Sequence, residues 1–291
     1  MKELLTKIFE FSINLISAFG LLWLVIEITS YFASEEVINL IKSLWWLFGI
    51  VGLAFAIYKQ IPKSKYEFKV PNRDASIHIK KNDILKLDGS LIIPVNYLFK
   101  IDQDGKILQS NSVLAQVIKK HYNSKPEHLQ TDIDNVLLDK YYLNYKDDNG
   151  YKIGTVVPIF HNNKKFYLLA NTKLNAQYKS FCDDEMFETS LNELWVYLSD
   201  CASKEDFIIP LIGTGNGRLN TDREIVFQEI LLSFLSSLSV KNYADSLTIC
   251  FNPNDVKKHK LDFEKIGAFA KAKIEYQDYR NRNIKGTNKM G

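Results

Sequence analysis

Cysteine and histidine are scarce in this chain of 291 residues, and neither forms a metal or redox motif. The three cysteines, Cys182, Cys201 and Cys250, lie far apart, and no C-x-x-C pair occurs. Scattered thiols of this kind are typical of a reducing compartment. The five histidines are also scattered, so no group of His, Cys and Asp has the spacing of metal ligands. The sequence therefore predicts no metal site and no resident cofactor.

Strong charge and catalytic signatures are missing as well. A net charge of +3 is too small to indicate nucleic-acid binding by itself, and no basic stripe interleaved with aromatic residues is present. The sequence contains no Ser-His-Asp or Cys-His pattern that would predict a nucleophilic enzyme. We therefore expect no nucleic-acid partner.

Two long apolar runs lie near the N-terminus, at residues 9–33 and 37–58. Each is long enough to cross a hydrocarbon core of roughly 30 Å as a helix, which takes about 20 residues. The short acidic connection between them predicts a two-helix transmembrane hairpin over residues 1–60. A cleaved signal peptide fits poorly, because the first run is too long, lacks a small-residue cleavage site and is followed by a second run.

Lysines on both outer flanks of this hairpin predict its orientation. By the positive-inside bias, both termini face the cytoplasm, which makes the chain a two-span protein of the cell inner membrane. Glu27 lies near the end of the first run. A side chain that reaches the interface is a simpler interpretation of Glu27 than a pore residue.

Residues 207–238 have the pattern of a buried strand, a glycine loop and a helix. The apolar run 207–212 is typical of a buried strand. The helix is predicted to begin with a capping box, Thr221 at the N-cap and Glu224 three residues later. A glycine loop at such a helix start favours an anion, usually a phosphate, because free N–H groups and the positive end of the helix dipole meet there. A tight turn chosen only for packing is the alternative. The loop consists of Gly213, Thr214, Gly215, Asn216 and Gly217.

Strands and helices alternate along the rest of the chain, which predicts an α/β layered domain of roughly 220 residues. Residues 61–75 are interpreted as a Lys-rich linker and residues 277–291 as a polar tail. Further strands are predicted at 76–80, 91–95, 155–160, 166–170 and 247–251, and further helices at 112–122, 190–202 and 254–270.

Three blocks in fixed order resemble macro domains, which are ADP-ribose-binding α/β modules. Residues 77–84 resemble their opening strand and D-I turn, and residues 92–96 resemble their V-V-N strand end. Residues 210–217, PLIGTGNG, resemble their phosphate loop. The resemblance implies a macro-domain-like three-layer αβα fold with a mixed sheet over residues 76–276.

The resemblance also implies a ligand-binding site. Asp83 matches the acid that accepts a hydrogen bond from the adenine amino group, with the Ile84 N–H beside it. Phe251 matches the ring that packs on adenine, and Asn252 the polar residue next to it. Asn96 matches the first Asn of the loop that holds the distal ribose, and Gly213–Gly217 match the loop around the diphosphate. Plainer alternatives are a turn residue for Asp83, a core ring for Phe251 and a loop cap for Asn96.

The chain departs from hydrolysing macro domains at Phe99, where those proteins have a second Asn followed by a glycine run. A bulky ring cannot orient a water as an amide does, so we expect a binding protein and not an enzyme. The rebuilt loop indicates a ligand whose distal end differs from that of ADP-ribose. Candidate contacts for that end are Asn111, Asp102, Asp104 and the loop after Gly150.

Two N-terminal spans joined to a degenerate macro domain resemble the membrane effectors of type II Thoeris anti-phage systems. This resemblance implies a partner TIR protein that makes an ADP-ribose-derived signal, histidine-ADP-ribose, from NAD. Binding of the signal would drive self-association and membrane disruption, with cell death or growth arrest. Ordering of the loop 97–111 over the ligand is the expected coupling. The alternatives are a membrane-tethered ADP-ribosyl hydrolase and a passive ADP-ribose-binding tether.

Overall fold

The structure is a computed structural model that describes residues 2–60, 63–101, 107–108, 110, 112–201, 203–213 and 219–287. The chain divides into two compact units, Met1–Lys63 and Ser64–Gly291. Each unit has its own internal packing and is described by itself.

Helix α1 of the N-terminal unit spans Lys2–Phe32, and helix α3 spans Trp45–Gln60. The segment Phe11–Phe32 is long and apolar enough to cross a membrane. The two helices pack closely, because a Cβ added at Gly52 of α3 would lie 3.3 Å from the Phe19 ring of α1. Gly52 therefore provides the space into which the Phe19 ring packs.

The second apolar run is not a single helix, so the prediction of one helix over residues 37–58 is wrong. A short helix α2 at Glu35–Ser43 precedes α3, and the two are bent by 59°. Helix α2 carries Glu35, Glu36 and Lys42 and is amphipathic, whereas α3 is apolar almost throughout. The predicted two-helix transmembrane hairpin is therefore not confirmed.

The C-terminal unit is built on one mixed sheet with a separate small hairpin. The sheet strands are β1 Lys65–Lys69, β2 Ser76–Lys81, β3 Ser90–Asn96, β6 Val156–His161, β7 Lys164–Leu174, β8 Ser180–Phe181, β9 Glu205–Pro210 and β10 Ala244–Phe251. The hairpin strands are β4 Lys146–Asp147 and β5 Gly150–Tyr151. The sheet order is β1-β2-β10-β9-β3-β7-β6, with β8 paired to β7. Strands β2, β10, β9, β3 and β7 are parallel, and β1 and β6 are antiparallel to their neighbours.

Helices cover both faces of the sheet. One face packs against α4 Val113–His121, α5 Pro126–Leu137 and α6 Lys140–Leu143; the other packs against α7 Asp184–Cys201, α8 Arg223–Val240, α9 Pro253–Lys258 and α10 Phe263–Thr287. Successive strand residues alternate between the two cores, as with Ile92 on the α7–α8 side and Ile93 on the α4–α5 side. The predicted three-layer αβα architecture with a mixed sheet is confirmed.

Two predicted boundaries need correction. Lys65–Lys69 is a sheet strand and not linker, because it pairs antiparallel with β2. Tyr66 of this strand packs against Phe263 of α10, with ring centroids 5.6 Å apart. Helix α10 continues through most of the predicted polar tail to Thr287. Within that tail, Gln277 donates a hydrogen bond of 2.9 Å to the Leu235 carbonyl of α8.

Candidate ligand-binding site

A cleft of about 530 Å³ opens at the carboxyl ends of the parallel strands. Ligands of open α/β sheets bind at this edge. The lining residues follow the strand order from β2 to β7 and include Asp83, Asn252, Gly213, Asn96 and Asn171. Ile84 also lines the cleft, so the structure brings together five positions that the resemblance implied, and Asn171, which it did not imply.

Asp83 and Asn252 lie at the end of the cleft formed by β2 and β10. Asp83 precedes a short 3-10 helix, Ile84–Lys86, and its Oδ1 accepts a hydrogen bond of 3.1 Å from the Leu85 N–H. Ile84 follows in the cleft wall with a largely buried side chain. Asn252 is the N-cap of α9, because its Oδ1 accepts from the Asn254 N–H at 2.9 Å. Both side chains thus fix a turn while they line the cleft.

Phe251 does not face this cleft. Its side chain is buried in the core, with ring centroids 5.6 Å from those of Phe227 and Phe263. The structure supports the plainer alternative, in which Phe251 is a core residue, and provides no exposed ring for an adenine at this position.

Cys250 precedes Phe251 and lines the cleft, where its thiol donates a hydrogen bond of 3.3 Å to the Asn82 carbonyl. Burial raises the pKa of the Cys250 thiol to about 12, so the thiol is protonated at neutral pH and is a poor nucleophile. No group of three or more His, Cys, Asp or Glu among the described residues has the geometry of a metal site.

The glycine loop begins in the cleft at Gly213, which has a φ of +79° that favours glycine. The Gly213 carbonyl accepts a hydrogen bond of 3.0 Å from the Leu219 N–H, which closes the two ends of the loop. A Cβ added at Gly213 would lie 3.2 Å from the Leu219 side chain. Thr214, Gly215, Asn216 and Gly217 lie outside the described residues. Their contact with a diphosphate stays a prediction.

Helix α8 begins after this loop, but its predicted capping box is wrong. Asp222 is the N-cap, without a hydrogen bond from its side chain to the helix backbone. Thr221 instead donates a hydrogen bond of 2.6 Å to Oδ1 of Asp184 at the start of α7. The Thr221 hydroxyl thus donates to a carboxylate of another helix and does not accept from the N–H groups of α8, so tertiary structure overrides the local motif.

Arg223 and Lys258 add positive charge to the cleft, and neither was predicted from the sequence. Arg223 is the first residue of α8, and its Nη1 lies 3.3 Å from Nδ1 of His259. The guanidinium and the positive end of the α8 dipole act on the same region, which favours a bound anion. The position of Arg223 just after the glycine loop was the signal that could have identified it.

Asn96 and Phe99 have structural roles in the loop that follows β3. Asn96 Oδ1 accepts from the N–H groups of Leu98 at 3.1 Å and Lys100 at 3.3 Å. Its Nδ2 donates to the Lys100 carbonyl at 2.6 Å. Phe99 has a φ of +53° and is fully buried, with its ring centroid 5.4 Å from that of Tyr151. Asn96 therefore caps the loop, and Phe99 anchors the loop in the core.

The remaining candidates for the distal end of the ligand are only partly described. Asp102, Asp104 and Asn111 lie outside the described residues. The chain at Gly150 packs against the loop after β3, since a Cβ added there would lie 2.8 Å from the Leu98 side chain. Ile107 and Leu108, which also belong to that loop, line the cleft.

Asn171 is a cleft residue that was not predicted from the sequence. It lies near the end of β7, where its side chain is fully buried. Within the described part of the chain, neither Oδ1 nor Nδ2 of Asn171 has a hydrogen-bond partner. A polar residue directly after an apolar run in a buried strand was the signal that could have found it.

Comparison with known proteins gives a family match over most of the sheet and of the cleft. The model of the family described as "Thoeris protein ThsA, Macro domain" matches residues 77–252. The Thoeris protein ThsA of Bacillus amyloliquefaciens (strain Y2) is 22% identical over 213 residues, which cover 68% of this chain and 68% of that protein.

Two solved structures are also similar to this chain. The Oceanobacillus iheyensis macrodomain with MES bound is 11% identical, with a TM-score of 0.46, and the match covers 73% of this chain and 98% of that one. The Trypanosoma brucei macrodomain in complex with ADP-ribose is 10% identical, with a TM-score of 0.42, and the match covers 63% of this chain and 67% of that one.

Proposed function

This chain belongs to the ThsA macro-domain family, and on that premise we propose that it is a receptor for an ADP-ribose-derived signal in anti-phage defence. The proposed signal is histidine-ADP-ribose, made from NAD by a TIR-domain partner. The observation that carries the proposal is one cleft that joins Asp83, Gly213 and Arg223 along the carboxyl edge of the sheet.

The order of the strands supports an extended ligand in this cleft. The adenine would lie near Asp83 and Asn252, where a carboxylate can accept from the adenine amino group. The diphosphate would lie near Gly213 and the start of α8, within reach of Arg223 and Lys258. The distal end would then extend toward β3 and β7.

Residues in and near the cleft support binding rather than catalysis. Phe99 lies in the core, so no amide at that position can orient a water for hydrolysis. Cys250 is protonated at neutral pH and so is unsuited to nucleophilic attack. We therefore favour a receptor over the ADP-ribosyl hydrolase.

We propose further that the N-terminal unit anchors the chain in the inner membrane. The segment Phe11–Phe32 would form one span, and the bent pair α2–α3 would have to form the second. Lysines at both outer ends support cytoplasmic termini and a cytoplasmic macro-like unit. Ligand binding would favour self-association and membrane disruption by differential affinity for the assembled state, through ordering of the loop 97–111.

Calorimetric titration of the full chain in detergent micelles tests ligand recognition. We expect histidine-ADP-ribose to bind more tightly than ADP-ribose, and ADP to bind more tightly than GDP. Guanine presents an acceptor oxygen where adenine presents its amino group. The base of GDP would therefore place an acceptor against the Asp83 carboxylate, which is also an acceptor. Equal affinity for ADP and GDP would contradict adenine recognition at Asp83. If none of the four ligands binds, the glycine loop is only a turn and the proposed function fails.

Vesicle leakage separates an effector from the two alternatives. The full chain is reconstituted in lipid vesicles loaded with a fluorescent dye, and the signal is then added. Signal-dependent leakage supports an effector, whereas binding without leakage would identify a passive tether. Release of ADP-ribose from an ADP-ribosylated protein in a parallel incubation would identify a hydrolase.

A further inference from the structure

Asn171 occupies an irregular position between two paired residues of β7. Val95 of β3 is opposite Ala170, and Asn96 is opposite Thr172, so Asn171 is the extra residue of a β-bulge. Bulges are frequent beside binding sites, where they change the direction of a side chain. The bulge places Asn171 in the wall of the cleft.

The amide of Asn171 is buried without a partner, which is costly for folding. Its side chain has no exposed surface, and both Oδ1 and Nδ2 lack a hydrogen-bond partner among the described residues. Most buried polar side chains in proteins have a partner, and an unpaired one destabilises the fold. The apolar run Leu168-Leu169-Ala170 precedes it, so an aliphatic residue would suit the strand better. We conclude that the amide has a role other than folding.

The position of Asn171 identifies the part of a ligand that it faces. Strand β7 lies four strands from β2, which at about 4.8 Å per strand is roughly 19 Å from the Asp83 end. The neighbouring amide, that of Asn96, is engaged in its own loop. Asn171 therefore lies at the end of the cleft beyond the glycine loop.

We propose that Asn171 forms a distal subsite that binds a ligand group with a donor and an acceptor close together. A carboxamide can accept at Oδ1 and donate from Nδ2 in one plane. Two adjacent ribose hydroxyls match this pair, and so do the amine and carboxylate of an amino-acid adduct. This subsite rests on the proposed function, because it assumes an ADP-ribose-derived ligand with its adenine near Asp83.

The test compares the full chain with its Asn171→Leu variant in detergent micelles, with ADP, ADP-ribose and histidine-ADP-ribose as probes. Leucine has a similar size but cannot form hydrogen bonds. We expect the affinity for ADP to be unchanged, because ADP ends at the diphosphate. The affinity for the ligand whose distal group contacts Asn171 should fall roughly 10- to 100-fold, as expected for two lost hydrogen bonds.

The three probes show whether the ligand group that contacts Asn171 belongs to the distal ribose or to the amino-acid adduct. A loss that is already present with ADP-ribose would assign the ribose hydroxyls to Asn171. A loss confined to histidine-ADP-ribose would assign the adduct. In either case the ligand-free variant should melt at a temperature about 2–4 °C higher than the unmodified chain, because a buried unpaired amide is removed. Weaker binding with higher stability is the signature of a binding residue and not of a structural one.

Asn242→Leu is the matched control. Asn242 lies just before β10, outside the cleft, and its Oδ1 is also buried without a partner among the described residues. This variant should leave all three affinities unchanged. The subsite is refuted if Asn171→Leu changes no affinity, or if it weakens ADP as much as the longer ligands. Failure of the unmodified chain to bind ADP would instead refute the proposed function.

Discussion

Asn96 and Asn171 lie one register position apart on the adjacent strands β3 and β7, but their amides have different environments. The Asn96 amide forms hydrogen bonds with Leu98 and Lys100 of its own loop. The Asn171 amide is buried and has no partner within the described ranges. The structural and the ligand-binding roles of these asparagines are thus separated, and mutation should affect stability at one and affinity at the other.

We expect Asn96→Ala to lower the free energy of unfolding of the macro-like unit by about 1–3 kcal/mol, because the hydrogen bonds to the loop backbone are lost. Thermal unfolding of the full chain measures the change. Asn96→Asp keeps the acceptor Oδ1 but places a second acceptor oxygen against the Lys100 carbonyl, so it should also lose stability at pH 7. If Asn96→Ala kept its stability but lost ADP-ribose binding, Asn96 would be a ligand group after all, as the macro-domain resemblance implied.

We expect Arg223→Gln to weaken ADP binding roughly 10- to 100-fold, because a charged hydrogen-bond donor near the diphosphate is removed. The remaining affinity should also depend less on ionic strength than that of the unmodified chain. Titration with ADP at two salt concentrations measures both effects.

Lys271→Gln serves as the matched control for Arg223→Gln. Lys271 is an exposed cation of α10 whose Nζ lies 3.8 Å from Glu275, and it does not line the cleft. This variant should bind ADP like the unmodified chain. Equal effects of the two substitutions would mean that only net charge matters and that Arg223 has no specific contact.

The apolar patterns predicted the interior of the sheet correctly, because burial on both faces leaves a strong signal in the sequence. Residues 91–95 and 166–170 belong to the interior strands β3 and β7, where every side chain except that of Pro94 is buried. Edge elements were harder to predict. Strand β1 alternates exposed charged residues with Tyr66 and Phe68, and its inner face is recognisable only once α10 packs against it.

The candidate site was predictable where it depends on local sequence and not where it depends on tertiary packing. Asp83 and Gly213 were found because a turn and a glycine loop are local features. The direction of the Phe251 ring depends on Phe227 and Phe263, which come from two distant helices. The apolar run before Asn171 could have drawn attention to this residue, but its missing hydrogen-bond partner is a feature of the tertiary structure alone.

Glu205 should make stability depend on pH. Its carboxylate lies at the start of β9, 2.6 Å from Lys165 Nζ, and it accepts from Ser203 Oγ at 3.0 Å. Burial alone would raise the pKa of Glu205, but hydrogen bonds from Lys165, Ser90 and Ser203 outweigh it, so the net shift is downward. A lowered folded-state pKa stabilises the fold above the unfolded pKa of about 4.3, and this stabilisation is lost as the pH falls through the folded value.

We therefore expect Glu205→Gln to lower the free energy of unfolding by about 1–3 kcal/mol at pH 7, with a difference that shrinks below about pH 4. Thermal unfolding of both chains between pH 3 and pH 7 measures it. Asp88→Asn is the control, because Asp88 pairs with Lys164 at 3.0 Å but its side chain is fully exposed. A pH-independent difference for Glu205→Gln would show that its charge is not the stabilising feature.

Restoring the amide of hydrolysing macro domains should not create an enzyme here. Phe99→Asn suits the backbone, because asparagine tolerates the φ of +53°. The variant loses the ring that packs on Tyr151, so we expect a loss of about 3–5 kcal/mol of stability. The new amide would occupy a core position that does not line the cleft, so incubation with an ADP-ribosylated protein should release no ADP-ribose. Phe99→Leu, which keeps an apolar side chain at the same φ, should lose less stability. Hydrolysis by the asparagine variant would mean that this one residue separates a receptor from an enzyme.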